Sequence, residues 1–203
     1  MNPMPVRTLG TTGITVSILG LGGGGLGHNP QITGAPQRPQ IRALAEQIIV
    51  YALDAGVNYF DTCSGYGESE SILGQVAASR REEMVIASKC TTPTAHRDEL
   101  CRELDQSLNR LRTDRLDLWL ILNLCTMHDV DKIFEKNHAI DVFLEAKSKG
   151  LTRFIGISGH SSAGALTMTI DRCRSLGITL DTLLFSFNIT DRQTGGHGRT
   201  LIR

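Results

Sequence analysis

Short apolar runs alternate with amphipathic segments of helical spacing along nearly the whole chain, and this alternation constrains the fold more than any other feature. The runs cover residues 16–21, 57–61, 84–89, 116–122, 153–158 and 180–187. Each is rich in Val, Ile, Leu or Phe and lacks regular polar alternation, as expected of strands buried on both faces. Between them, residues 40–55 set Ile41, Leu44, Ala45, Ile48, Ile49 and Ala52 on the stripe of one buried helix face, and Gly56 supplies the stop. Residues 97–112 carry the stripe Leu100, Leu104, Leu108 and Leu111. Asp98 and Glu99 lie at the start of this segment and Arg110 and Arg112 at its end, which suits a helix dipole. Segments 131–149 and 163–176 read as helices ending at Gly150 and Gly177, and a shorter helix is expected over 69–78. Strand–helix units at a near-constant interval imply a parallel sheet. Ahead of them, Arg7-Thr8-Leu9 and residues 14–17 flank the turn Gly10-Thr11-Thr12-Gly13, the pattern of a β-hairpin.

The chain has 203 residues, 40% of them apolar, and balances 21 basic against 21 acidic side chains. Its length and the lack of a linker argue for a single domain over residues 1–203. A neutral chain has no general attraction for nucleic acid or an anionic membrane surface, so neither is an expected partner. No apolar stretch reaches the ~18 residues of a membrane helix. The start, Met1-Asn2-Pro3-Met4-Pro5-Val6-Arg7, lacks the order of a signal peptide. Cys63, Cys90, Cys101, Cys125 and Cys173 are odd in number, far apart and never spaced as CxxC. That pattern argues against a metal site or a disulfide framework, and for reduced thiols in a cytoplasmic protein.

Two architectures use such repeats, the (β/α) barrel and the open doubly wound sheet. Gly20-Leu21-Gly22-Gly23-Gly24-Gly25 satisfies the dinucleotide fingerprint G-x-G-x-x-G, but no helix follows at once. The glycine- and proline-rich loop 22–39 intervenes instead, and no acidic residue ends a second strand at the required distance. The barrel is therefore favoured, and in a barrel the carboxyl ends of the strands carry function. There the second strand ends Asn58-Tyr59-Phe60-Asp61-Thr62, followed by Cys63-Ser64-Gly65-Tyr66-Gly67. The third ends Ala87-Ser88-Lys89. An acid, a phenol and an amine thus share one rim.

At these residues the chain resembles the aldo-keto reductases. The ordered set runs through Arg7-Thr8-Leu9-Gly10, Leu19-Gly20-Leu21-Gly22, residues 55–62, Tyr66-Gly67-Glu68-Ser69-Glu70 and Leu116-Asp117-Leu118-Trp119, and ends on residues 150–158. The resemblance implies a TIM-type (β/α) barrel that uses NADPH to reduce small aldehydes and ketones. Of the family's Asp, Tyr, Lys and His tetrad, Asp61, Tyr66 and Lys89 match the first three. Tyr66 is then the proton donor, Lys89 lowers its pKa, and Asp61 holds Lys89 charged and oriented. Asp61 and Ser158 are the implied cofactor-binding residues, Ser158 on the nicotinamide amide.

The chain departs from that pattern in three places. The family's His falls at Leu122; Asn123 is one residue on, His128 lies in the following loop, and His160 follows the fifth parallel strand. Gly159 stands where Asn is usual, and the expected Gln falls at Leu184. Six parallel strands are legible where a barrel has eight and about 250 residues. The expectation is therefore an incomplete barrel, at about six of eight units, with open edges that favour self-association. Three readings follow: a reductase impaired by the missing groups, an inactive shortened relative serving as a binding or regulatory subunit or without function, and an unrelated open-sheet protein. The last requires Asp61 and Lys89 to lie too far apart to touch.

Overall fold

The computed structural model describes residues 3–27, 39–159 and 162–185. Strands β1 (Val6–Thr8) and β2 (Thr15–Ser17) pair antiparallel as the expected hairpin. Six further strands form one sheet: β3 (Gly20–Gly22), β4 (Tyr59–Asp61), β5 (Val85–Cys90), β6 (Leu116–Ile121), β7 (Thr152–Gly159) and β8 (Thr182–Phe185). Each lies parallel to its predecessor, in sequence order without reversal. A doubly wound sheet reverses its order at the ligand crevice; an unbroken order is the sector of a barrel. The sheet curls so that Leu184 on β8 and Gly20, Leu21 and Gly22 on β3 line one slot. Among the described residues the two edges are not paired with each other, and the barrel is incomplete.

The run 16–21, expected as one strand, is divided between β2 and β3. The cause is a knot of hydrogen bonds around Asn58. Its Oδ1 accepts from Ser17 N (2.7 Å), its backbone N donates to Ser17 Oγ (3.0 Å), and its Nδ2 donates to Thr15 O (2.9 Å). Ser17 Oγ then donates to Leu19 O (2.6 Å), bending the chain between the two strands.

The helices are α1 (Pro39–Asp54), α2 (Ser69–Arg80), α3 (Arg97–Leu111), α4 (Met127–Ile133), α5 (Ala139–Ser148) and α6 (Ala163–Ser175). The single helix expected over 131–149 is two. Thr126 caps α4 by accepting from Asp129 N, and Asp129 Oδ2 in turn accepts from Thr126 N. Asn137, at φ 64°, turns the chain before α5, and its N donates to Asp141 Oδ2 at 2.8 Å. Most of the loop expected over 22–39 lies outside the described residues, as do the last two residues of the run 180–187.

Side chains alternate across the sheet. The outward row, including Phe60, Ile86, Trp119, Ile121, Ile155 and Ile157, packs into the main core with the helices. The ring of Trp119 stacks on Phe143 with centroids 3.7 Å apart. The inward row, Tyr59, Val85, Ala87, Leu118, Leu120 and Phe154, packs against Leu9, Ile14 and Val16 of the hairpin, which plugs one end of the interior. Gly74 lies where α2 crosses α3: a Cβ there would sit 2.2 Å from Arg110 O. No described helix is long and apolar enough to cross a membrane, and none of the five cysteines forms a disulfide.

Candidate active site

The inward rows of β4 and β5 end on Asp61 and Lys89, because Asp61 follows Tyr59 and Lys89 follows Val85 and Ala87 at alternate positions. Lys89 Nζ donates to Asp61 Oδ1 at 2.7 Å, to Oδ2 at 2.6 Å and to Thr62 O at 2.8 Å. The Lys89 side chain is 1% exposed and that of Asp61 is 20% exposed. A buried ammonium of this kind is tolerated only because its donors are met and its charge is paired. The contact excludes the open-sheet reading, which required the two to be apart.

Tyr66 is carried by the turn that follows β4. Its N donates to Cys63 O (3.0 Å), and its O accepts from Ser69 N (3.1 Å). The glycine-rich segment after β3 lies against this turn. Glu68 N donates to Gly27 O (2.8 Å), and a Cβ at Gly27 would fall 1.6 Å from Tyr66 O, so no larger residue fits there. The Tyr66 ring centroid lies 5.1 Å from Lys89 Nζ. Burial, and then the neighbouring Cys63 and Asp61, push the Tyr66 hydroxyl up to about 12. The sequence led us to expect that Lys89 lowers it. Both oxygens of Asp61 share the ammonium, and burial is the largest influence on the phenol. Tyr66 thus stays protonated across the neutral range, in the form that donates. Cys63 is no competing nucleophile, since burial pushes its thiol up to about 11.

Ser158 lies on the inward row of β7, fully buried. Its Oγ has no hydrogen-bond partner among the described residues. Leu122 follows β6 and, by alternation, continues the inward row of Leu118 and Leu120. It puts an apolar side chain where the resemblance calls for His. Asn123 does not take that place: it is exposed at φ 60°, and its N donates to Ser158 O at 2.9 Å. His128 is exposed on α4, and His160 lies outside the described residues. At Gly159 a Cβ would meet the Leu166 side chain at 2.9 Å, so Leu166 occupies the space an Asn side chain would enter. Leu184 lines the slot with Tyr59 and Asp61.

The sequence reading passed over two polar anchors beside the pair. Glu70, buried, accepts from Ser88 Oγ (2.6 Å) and from Arg110 Nε (2.7 Å). Glu103 on α3 accepts from Ser64 Oγ, from Thr91 N and Oγ1 (both 2.7 Å) and from Thr92 Oγ1 (3.0 Å). Glu70 falls within the motif that carries the resemblance but has no role assigned there, and nothing in the spacing of Glu103 marks it, because an acidic residue off the apolar stripe of a helix reads as a solvated face.

A barrel sector with an acid, an ammonium and a phenol at one strand-end rim defines a class of rim-site (β/α) proteins. Within it, residues 18–195 match the Aldo/keto reductase family, and the chain belongs to that family. It is 32% identical over 175 residues to 6-dehydroglucose reductase of Novosphingobium aromaticivorans, covering 78% of this chain and 53% of that one. It is 30% identical over 168 residues to L-galactose dehydrogenase of Arabidopsis thaliana, covering 78% and 50%. Among solved structures it is similar to a thermostable aldo-keto reductase determined with the inhibitor epalrestat. The TM-score is 0.77 at 27% identity, over 95% of this chain and 66% of that one. The chain spans about half the length of the sequence relatives it matches.

Proposed function

We propose that this chain carries the reacting sector of a cytoplasmic, nicotinamide-dependent reductase of small aldehydes or ketones. The observation that carries the reading is the buried Lys89 ammonium, fixed on both oxygens of Asp61 with the Tyr66 ring beside it. The nicotinamide fits: its carboxamide both donates and accepts, which suits the buried, partnerless Ser158 Oγ on the inward row. NADPH is the form inferred, in keeping with the relative named NADPH-dependent codeinone reductase from Papaver somniferum. Relatives named 6-dehydroglucose reductase and methylglyoxal reductase support a small carbonyl substrate. The cysteines, none in a disulfide, suit a reducing compartment.

Asp61 and Ser158 would hold the nicotinamide end, and a bound nicotinamide supplies a hydride to the carbonyl carbon. As negative charge grows on the carbonyl oxygen, the Tyr66 hydroxyl donates its proton there. The phenolate left behind lies beside Lys89, whose charge then has a second anion to stabilise. Asp61 and Thr62 O keep the ammonium paired and aimed.

The test is titration of the chain with NADPH by nicotinamide fluorescence, followed by carbonyl turnover. Saturable binding is expected. In Tyr66→Phe, turnover falls by about 10²-fold or more while NADPH affinity holds. No saturation at millimolar NADPH, or full turnover in Tyr66→Phe, overturns the reading. Leu122 favours a second reading, a member of the family that binds cofactor without turnover. There, NADPH binds the native chain without reaction, and Leu122→His introduces a donor worth about 10²-fold in rate.

A further inference from the structure

We propose that Glu103 is a positioning residue that holds Tyr66 in place beside Lys89; the proposal rests on the reading of those two as the reacting pair. The two arrive from different elements. Tyr66 stands on the turn after β4, and Lys89 stands near the end of β5. Glu103 belongs to neither element, yet its carboxylate ties both. Its Oε1 accepts from Ser64 Oγ on the Tyr66 turn, and from Thr91 N and Oγ1 just past Lys89. Its Oε2 accepts from Thr92 Oγ1. Ser64 Oγ also lies 3.4 Å from Lys89 O, and Cys63 Sγ lies 3.8 Å from the same oxygen. The turn and the strand end are thus bound together on the side away from the barrel interior.

Glu103 is half-buried on α3, and α3 is anchored by Leu100, Leu104, Leu108 and Leu111 in the core. The clamp is therefore fixed to a rigid element, which is what precise placement of a reacting pair needs. Four donors converge on one carboxylate, and no described cation pairs with it. Its oxygens go to backbone and hydroxyl groups whose place matters to the rim. The chain of contacts reaches the ammonium itself, since Thr62 O, two residues before Ser64, accepts from Lys89 Nζ.

The test uses the full chain labelled with carbon-13 in its three tyrosine rings, Tyr51, Tyr59 and Tyr66. Tyr66→Phe assigns the third signal. In Glu103→Ala, the Tyr66 signal is expected to move toward the position of exposed Tyr51, while the other two hold. Ser64→Ala cuts only the arm to the turn and gives a smaller shift of the same sign. Glu103→Gln, which keeps one accepting oxygen, returns most of the shift. In carbonyl turnover, kcat of Glu103→Ala falls about 10²-fold, as expected when a reacting group is displaced by about an ångström. KM for the carbonyl changes by less than about threefold, because ground-state binding is not what is lost. An unmoved Tyr66 signal in Ser64→Ala and Glu103→Ala overturns the proposal, and so does an unchanged kcat beside a moved signal. If Glu103→Ala loses all dispersed signals while Ser64→Ala leaves Tyr66 unmoved, Glu103 serves folding alone and the proposal falls. If the native chain shows no turnover, the reductase reading fails, and the tyrosine signals still decide the positioning claim.

Discussion

Lys89 surrenders its hydration almost completely, and Asp61 is what makes that bearable. Removing Asp61 leaves a buried charge uncompensated, so Asp61→Ala is expected to destabilise the fold by about 3 kcal/mol, the low end for a broken buried pair because Asp61 keeps some solvent. The double variant Asp61→Ala/Lys89→Met should recover most of that loss in urea titrations; an equal or greater loss would show that the pair is not the source. Three buried protons give a second handle at this scale. Tyr66 sits at about 12 against a usual 10.0, and Cys63 and Cys173 at about 11 against 9.0, each raised first by burial. The folded chain keeps these protons where the unfolded chain releases them. Their contribution is complete below pH 9 and is lost as pH rises through about 11 to 12. The urea midpoint should therefore fall between pH 8 and pH 10.5; an unchanged midpoint would mean that these groups are solvated. Of the residues named from sequence, Asp61, Tyr66 and Lys89 meet in space because strand-end motifs are local and alternation fixes their face. The carboxylate that ties them together was illegible, since its partners come from two separate segments.

The strand–helix units were legible because most strands are dense apolar runs and the long helices carry apolar stripes. The one buried face expected of 40–55, however, is split: Ala45 and Ile49 are buried, while Ile41, Leu44 and Ile48 are exposed. The division of 131–149 into α4 and α5 was not legible, although the capping box of Thr126 and Asp129 is a sequence signal for a helix start. The left-handed turn at Asn137 sits in the polar run Glu135-Lys136-Asn137-His138, which is short enough to read as the solvated side of one helix. The break of the run 16–21 was equally hidden, because it depends on Asn58, far along the chain. Helix crossing supplies the prediction at this scale. Gly74→Ala drives a methyl into the backbone of α3, with Arg110 O at 2.2 Å and Leu111 C at 2.9 Å. Backbone cannot rotate aside as a side chain can, so the substitution should cost about 1–3 kcal/mol despite alanine's better helix propensity. Thermal unfolding checks this, and a variant as stable as the native chain would mean that α2 and α3 can slide apart.

Six curled strands leave an interior open on one side, and the helix at that margin is oily on its outer face. Leu44 is 56% exposed and Tyr51 77%, with Ile41 and Ile48 completing the stripe, and Leu19 next to β3 is 59% exposed. Exposed apolar side chains in such number favour association. The 203-residue chain by itself should sediment as larger species with rising concentration, and Leu44→Lys with Ile48→Glu should shift it toward monomer. A concentration-independent monomer in the native chain would refute this. The strand order has one more consequence. Because each strand pairs with the one made just before it, every new unit emerging during synthesis finds its template already laid down, and the sheet can grow in one direction as the chain is made. The hairpin is the exception: it is synthesised before the sheet, but its seat is built from Val85, Ala87, Leu118 and Leu120. It must wait, unseated, until β6 has followed it.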